Sequence, residues 1–220
     1  MSKIRVAIDG PVSSGKSSAG SRAAFLLNYR FIDTGVMYRA VAYKIKTQNI
    51  PLEKWEAAAK TTTFDWIGEP SKPALSIDGI VIKDSLFSPE ISSFTSKVAT
   101  SPEIRKTLVS FQREMAKNGG IVMVGRDIGT VVLPDAELKI FLTASLDTRV
   151  KRRYEELIQK KNNISIEELK KEVSERDKRD STRKDSPLQI AEDGIEIDST
   201  HLTLEQVAEM IAKKAQEKEK

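Results

Sequence analysis

Eight consecutive residues near the start of the chain, Gly10-Pro11-Val12-Ser13-Ser14-Gly15-Lys16-Ser17, match G-x-x-x-x-G-K-[ST] at every fixed position. Glycines at both ends let the backbone curl until its N–H groups point inward, toward the oxygens of a phosphate. A helix opening directly after the loop adds positive potential at its N-terminus. Lys16 then reaches β- and γ-phosphates, and the Ser17 hydroxyl suits Mg²⁺. The bland alternative is a glycine turn with a surface lysine. It is outweighed by context, because the motif follows the apolar run Ile4-Arg5-Val6-Ala7-Ile8 and opens an apolar-faced helix.

The second chemical signal is arginine at the ends of elements: Arg39, Arg105, Arg126, Arg176, Arg179 and Arg183. A guanidinium fork binds phosphate bidentately and stays charged at any working pH. One such arginine alone is more often a surface ion pair. A set of them in a chain with a phosphate loop points to a second polyanion beside the first. There is no Asn-Lys-x-Asp guanine motif, and Val124-Gly125-Arg126-Asp127 is not the apolar run ending in Asp-Glu of motor ATPases.

The elements that must position these groups alternate between short apolar strands and helices, which implies a parallel sheet covered on both faces. Strands are expected at 4–8, 31–32, 121–124, 138–142 and 195–197. Helices are expected at about 16–28, 36–48 and 203–217, and 147–183 is charge-dense and mostly helical, with a capping box at Ser165-Ile166-Glu167-Glu168. The middle differs. Leu75-Ser76-Ile77, Asp78-Gly79 and Ile80-Val81-Ile82 spell a hairpin with a type I′ turn. Ser88-Pro89-Glu90 and Ser101-Pro102-Glu103 each read as an N-cap with proline at the first helical position, so helices are expected at 89–99 and 102–117. The fold class is therefore α/β, a three-layer sandwich on a parallel sheet, with an inserted subdomain at 60–105 holding a small antiparallel sheet. The core comprises 1–59, 106–146 and 184–220, and 147–183 forms a short helical lid.

Composition narrows the function classes. At 220 residues with 39% hydrophobic and 31% charged, the chain suits one globular unit with insertions. No apolar run approaches the length of a membrane span, and the Met1–Arg5 stretch is too short and polar for a signal peptide. Cysteine is absent and His201 is the one histidine, which excludes disulfides and thiolate or histidine metal centres and favours a reducing, cytoplasmic setting. Lys and Arg outnumber Asp and Glu by 36 to 32, a mild net charge of +4 that fits a small polyanionic substrate as well as nucleic acid. Tyr38, Trp55 and Trp66 read as packing residues and His201 as solvated.

Asp33-Thr34-Gly35-Val36-Met37-Tyr38-Arg39, Gly125-Arg126-Asp127-Ile128-Gly129-Thr130-Val131-Val132 and Arg176-Asp177-Lys178-Arg179-Asp180-Ser181-Thr182-Arg183 resemble the motifs of bacterial cytidylate kinases, as does the loop from Ile8-Asp9-Gly10-Pro11. The resemblance runs from about residue 4 to 212. Small departures keep the chemistry: Thr34 stands where serine is common, and Ser17-Ser18 where Ser-Thr or Gly-Thr is usual. The resemblance implies transfer of the ATP γ-phosphoryl group to CMP or dCMP, with Mg²⁺ as cofactor. It implies that Gly10 to Ser18 and Arg153 contact ATP, with Arg149, Arg152 and Arg153 at the start of the lid. It places Arg39 and Arg126 at the acceptor phosphate and counts Thr34 among the substrate-binding residues. Ser96, Arg105 and Asp127 then face cytosine, while Arg176, Asp180 and Arg183 meet ribose and phosphate. Lys16, Arg126, Arg176 and Arg183 would be catalytic.

These residue types suit that chemistry. The attacking phosphate oxygen is already ionised near neutral pH, so no strong general base is needed, and positioning with charge stabilisation carries the step. A carboxylate beside the 4-amino group and an arginine beside N3 and O2 would read cytosine, which Asp127 and Arg105 could do. Asp33, with Asp9 and Asp127 as rivals, could orient a metal-bound water. The competing readings are a kinase for another acceptor such as UMP and a non-catalytic nucleic-acid-binding module. ATP and CMP or dCMP are the expected partners of a monomeric chain, with no nucleic acid and no membrane.

Overall fold

A computed structural model of the chain describes residues 3–71, 73–81, 84–159 and 164–219. Met1, Ser2 and Ile82, for which the sequence carried expectations, lie outside the described residues, as do small parts of the expected insert and lid. Five strands, β1 (Arg5–Asp9), β2 (Arg30–Asp33), β6 (Ile121–Gly125), β7 (Leu138–Thr143) and β8 (Ile195–Asp198), form one parallel sheet in the order β2-β6-β1-β7-β8.

Side-chain alternation along these strands builds two cores. Val6, Ile8, Val122 and Val124 face one side and pack on α1 (Lys16–Leu27) and α8 (Leu204–Lys218) through Ala19, Ala23, Val207 and Ile211. Ala7, Ile121 and Met123 face the other and pack on α2 (Thr34–Thr47), α3 (Trp55–Lys60) and α5 (Pro102–Ala116) through Met37, Val41, Ala59 and Leu108. The expected three-layer α/β sandwich is thus observed. The short α3, and a 3₁₀ turn ahead of it at Leu52–Lys54, had no counterpart in the sequence reading.

A second, antiparallel sheet holds β3 (Phe64–Ile67), β4 (Ala74–Ile77) and β5 (Ile80–Val81). Asp78 and Gly79 at the β4–β5 turn have φ of 50° and 81°, as a type I′ turn requires. Helix α4 (Pro89–Val98) and α5 begin where the Ser-Pro pairs indicated. Ser88 and Ser101 accept from the N–H groups of Ile91 and Ile104. Helices α6 (Leu146–Gln159) and α7 (Ile166–Thr182) pack together through Val150, Leu169 and Val173, and the Ser165–Glu168 capping box starts α7. No described helix is long and apolar enough to cross a membrane.

Candidate active site

Register places the chemistry. Asp9 pairs with Gly125, and Asp33 with Val124, so three adjacent parallel strands end side by side. The glycine loop leaves β1, the helix bearing Arg39 leaves β2, and the turn bearing Arg126 and Asp127 leaves β6. Ligand sites in open α/β sheets lie at this carboxyl edge.

The loop is held tightly. A Cβ on Gly10 would sit 2.0 Å from the Leu142 carbonyl oxygen, so only glycine lets the loop approach β7 this closely. Gly15, with φ of 87°, turns the chain into α1. The Lys16 ammonium is buried and donates to the Pro11 carbonyl at 2.9 Å. Burial and then the charges of Arg126 and Arg176 hold its pKa well below that of an ordinary lysine, against the pull of Asp33 and Asp180. The Arg176 side chain makes no hydrogen bond or ion pair among the described residues. Burial, with Arg126 beside it, lowers its pKa from 12.5 to about 10. The centre of the cleft therefore carries more positive charge than its carboxylates balance.

On the other side the cations are partnered. Arg126 Nε donates to Asp180 Oδ2 at 2.8 Å. Arg105 and Asp127 form a buried ion pair, and Arg183 Nη2 lies 3.6 Å from Asp127 Oδ1 with no hydrogen bond of its own. Arg39 Nη1 bonds the Ser92 hydroxyl at 2.6 Å and the Leu86 carbonyl at 3.1 Å, and the guanidinium lies 5.4 Å from the Phe87 ring centroid. Ser96 sits one turn beyond Ser92 on α4, half-buried, with its hydroxyl making no hydrogen bond among the described residues. Thr34 donates its hydroxyl to the Val124 carbonyl at 2.9 Å and pins the start of α2 to β6. Arg179 is exposed, bonded to the Glu175 carbonyl within its own helix, and stands apart from the other end-of-element arginines.

The three carboxylates weighed for a metal-bound water separate by what they touch. Asp33 Oδ2 accepts from the Ser17 hydroxyl at 2.6 Å, which sets two hard oxygen donors together and fits Mg²⁺. Asp9 spends both oxygens on the backbone N–H groups of Ile128 and Gly129, at 2.8 and 2.7 Å. Its burial raises the pKa from 3.8 to about 6. Asp127 is engaged with Arg105 and Arg183.

The arginines that open α6 also separate. Arg149 is buried and donates to the carbonyls of Ala144 and Val12. Arg152 donates to Ser199 and to the Ser14 carbonyl. Both buttress the loop backbone. Among the described residues Arg153 is bound only to the exposed Glu156, one helical turn on, yet its charge reaches Arg39 and Arg176. Sequence reasoning had treated Tyr38 as packing alone. Its ring also lies 5.9 Å from the Arg105 guanidinium, and burial raises its pKa to about 12. The backbone-holding roles of Asp9, Arg149 and Asp177 were missed as well, and for Asp177 the one available signal was its place inside the Arg-Asp-x-x-Asp-x-x-Arg run.

Comparison with known proteins gives a consistent result. The family described as cytidylate kinase matches residues 6–217. A cytidylate kinase of Caldanaerobacter subterraneus subsp. tengcongensis is 45% identical over 208 residues, 94% of this chain and 92% of that protein. One from Streptococcus pneumoniae strain 70585 is 42% identical, covering 99% of this chain and 100% of its own. Among solved structures, an uncharacterized protein from Eubacterium ventriosum aligns with a TM-score of 0.55 at 15% identity, covering 98% of this chain and 99% of that one. Shikimate kinase from Bacteroides thetaiotaomicron aligns at 0.51 and 14%, covering 97% of each chain, and these two likenesses concern the fold. With a phosphate loop, a facing set of arginines and full-length similarity of this order, the chain belongs to the cytidylate kinase family.

Proposed function

We propose that the chain transfers the γ-phosphoryl group of ATP to CMP or dCMP, releasing ADP and CDP or dCDP. Family membership supports the reaction, and one structural observation carries it: the buried Lys16 and the half-buried Arg176 are cations with no carboxylate bonded to them among the described residues, beside a partnered Arg126. Such a cluster is relieved by polyanions. The loop amides and Lys16 cradle the β- and γ-phosphates, and Arg153 approaches ATP from α6. Arg39 and Arg126 hold the acceptor phosphate, while Arg176, Asp180 and Arg183 meet ribose and phosphate. An ionised oxygen of the acceptor attacks Pγ as the bond from Pγ to the ADP oxygen breaks, and no side chain need take a proton. Ser17 and Asp33 would hold Mg²⁺, directly or through water, and the ion supplies charge neutralisation on the donor phosphates.

For the base, Asp127 accepts from the cytosine 4-amino group and Arg105 donates to N3 and O2, with Ser96 nearby on α4. In this reading 60–105 is the acceptor-binding insert and 147–183 the lid, and the enzyme works as a cytoplasmic monomer without nucleic-acid or membrane partners. The test is ADP release with CMP, dCMP, UMP and AMP in turn. CMP and dCMP should be the best acceptors. UMP or AMP working equally well would overturn the acceptor assignment, and no ADP with any of them would overturn the reaction.

A further inference from the structure

Val12, in the phosphate loop, is held by α6 and α7 through both its backbone and its side chain. Its N–H donates to Asp177 Oδ1 at 3.4 Å, and its carbonyl accepts from Arg149 Nη1 at 3.2 Å. Its side chain packs against the cluster of Val150, Leu169 and Val173 that joins the two helices. The same Arg149 Nη1 donates to Asp177 Oδ2 at 2.6 Å, and Arg149 Nε bonds the Ala144 carbonyl at the end of β7 at 3.0 Å. The phosphoryl-transfer step uses none of these contacts.

Their location gives them a consequence. Asp177 follows Arg176 and precedes Asp180 on α7, and Arg183 caps that helix. The helix that holds Val12 therefore also carries groups that reach Lys16, Arg126 and Asp127. We propose that Asp177, acting with Arg149, is a positioning residue that couples the two nucleotide sites: the place of the donor loop sets the place of α7, so each nucleotide tightens the other. The charge-assisted Arg149–Asp177 pair is the stiff part of the link. The longer Val12 bond is the part with slack, where a shift of the loop on binding a triphosphate registers at α7. Coupling of this kind is reciprocal and typically about 5–150-fold. Direct repulsion between the two nucleotides works the other way and is the same in a variant, so the difference between proteins isolates the link.

This inference rests on the ATP and CMP reading above. The experiment is calorimetric titration of CMP into the full chain, with and without a non-hydrolysable ATP analogue and Mg²⁺. The wild type should bind CMP about fivefold or more tightly with the analogue present. Asp177→Asn, of equal size, should cut that ratio below about twofold and leave CMP affinity without analogue within about twofold. Val12→Ala, which trims the side chain held between the helices and keeps the backbone bonds, should lower the ratio partway; it carries the test if Asp177→Asn melts far below the wild type. A ratio unchanged in the variants, or a wild-type ratio of one, overturns the coupling. So does an Asp177→Asn protein that loses CMP affinity equally with and without analogue, since that marks a merely structural residue. A wild type that never binds CMP overturns the acceptor assignment and the coupling with it.

Discussion

The two halves of the cleft hold their positive charge in different ways. On the donor side Lys16 is buried against a carbonyl with no carboxylate bonded to it among the described residues, and Arg176, between the two halves, has no bonded side-chain partner among them. On the acceptor side Arg126 is paired with Asp180, Arg105 with Asp127, and Arg39 with Ser92 and Leu86. An unpaired cation in a low-dielectric site takes an anion without first giving anything up. A paired one must exchange its partner, and a ligand that fails to replace the lost bonds leaves buried charge exposed to its full desolvation cost. The donor half is thus built for strength of phosphate binding, and the acceptor half for selectivity.

Substitutions can break this contrast, and the largest effect is expected on the donor side. Lys16→Met should lower kcat by about 10²–10³-fold or more, because it removes a preorganised charge from the transferring phosphoryl group. A loss under tenfold in steady-state assays would show that the buried ammonium is not the main stabiliser.

Asp127→Asn should act on selectivity instead. Uracil sets an acceptor against the carboxylate, an unpaired arrangement that costs about 1–3 kcal/mol, so the variant should lose much of the preference for CMP over UMP in kcat/KM. An unchanged preference in a folded variant would remove Asp127 from the base site.

Asp9 belongs to neither half; it joins them, and its effect appears in the pH dependence of stability. Its pKa of about 6 in the fold exceeds its ordinary 3.8, so between these values the native state binds more protons than the unfolded one. Stability from this group therefore falls as pH rises from about 4 to about 6 and then levels off. Asp127 opposes and Lys16 favours its ionisation. The denaturation midpoint of the wild type, relative to Asp9→Asn, should decline across that window; a difference that is flat with pH would contradict the raised pKa.

Ser101→Ala should give the smallest change, a loss of about 1 kcal/mol in chemical denaturation, because it removes the cap of the helix that carries Arg105. ATP affinity should stay as it was, and a shift there would tie the two halves together more closely than the contacts suggest.

Much of this could be read from the residues because the informative signals are contiguous. The glycine loop, the Ser-Pro caps and the Asp-Gly turn each specify backbone geometry within a few positions, and each appears where expected. The arginines were recognisable as a set, but their partners come from segments far apart in the chain, such as Arg126 with Asp180 and Arg149 with Val12. No local pattern announces such pairs. Strand β3 escaped notice because Phe64-Asp65-Trp66-Ile67 is a short alternation whose strand character depends on pairing with β4. The separation of Arg149 and Arg152 from Arg153 is likewise decided by which carbonyls lie within reach, something consecutive basic residues on a helix do not reveal.

The pairing of Asp9 with Gly125 has a metric consequence. Hydrogen-bonded neighbours in a sheet lie about 4.8 Å apart, and here the segment for one nucleotide and the segment for the other start from two such neighbours. The separation between giver and receiver is thereby inherited from the ladder of the central sheet, a dimension that long, rotatable side chains could not keep constant. The sheet acts as a ruler, and flexible arms need only fill in the last ångströms.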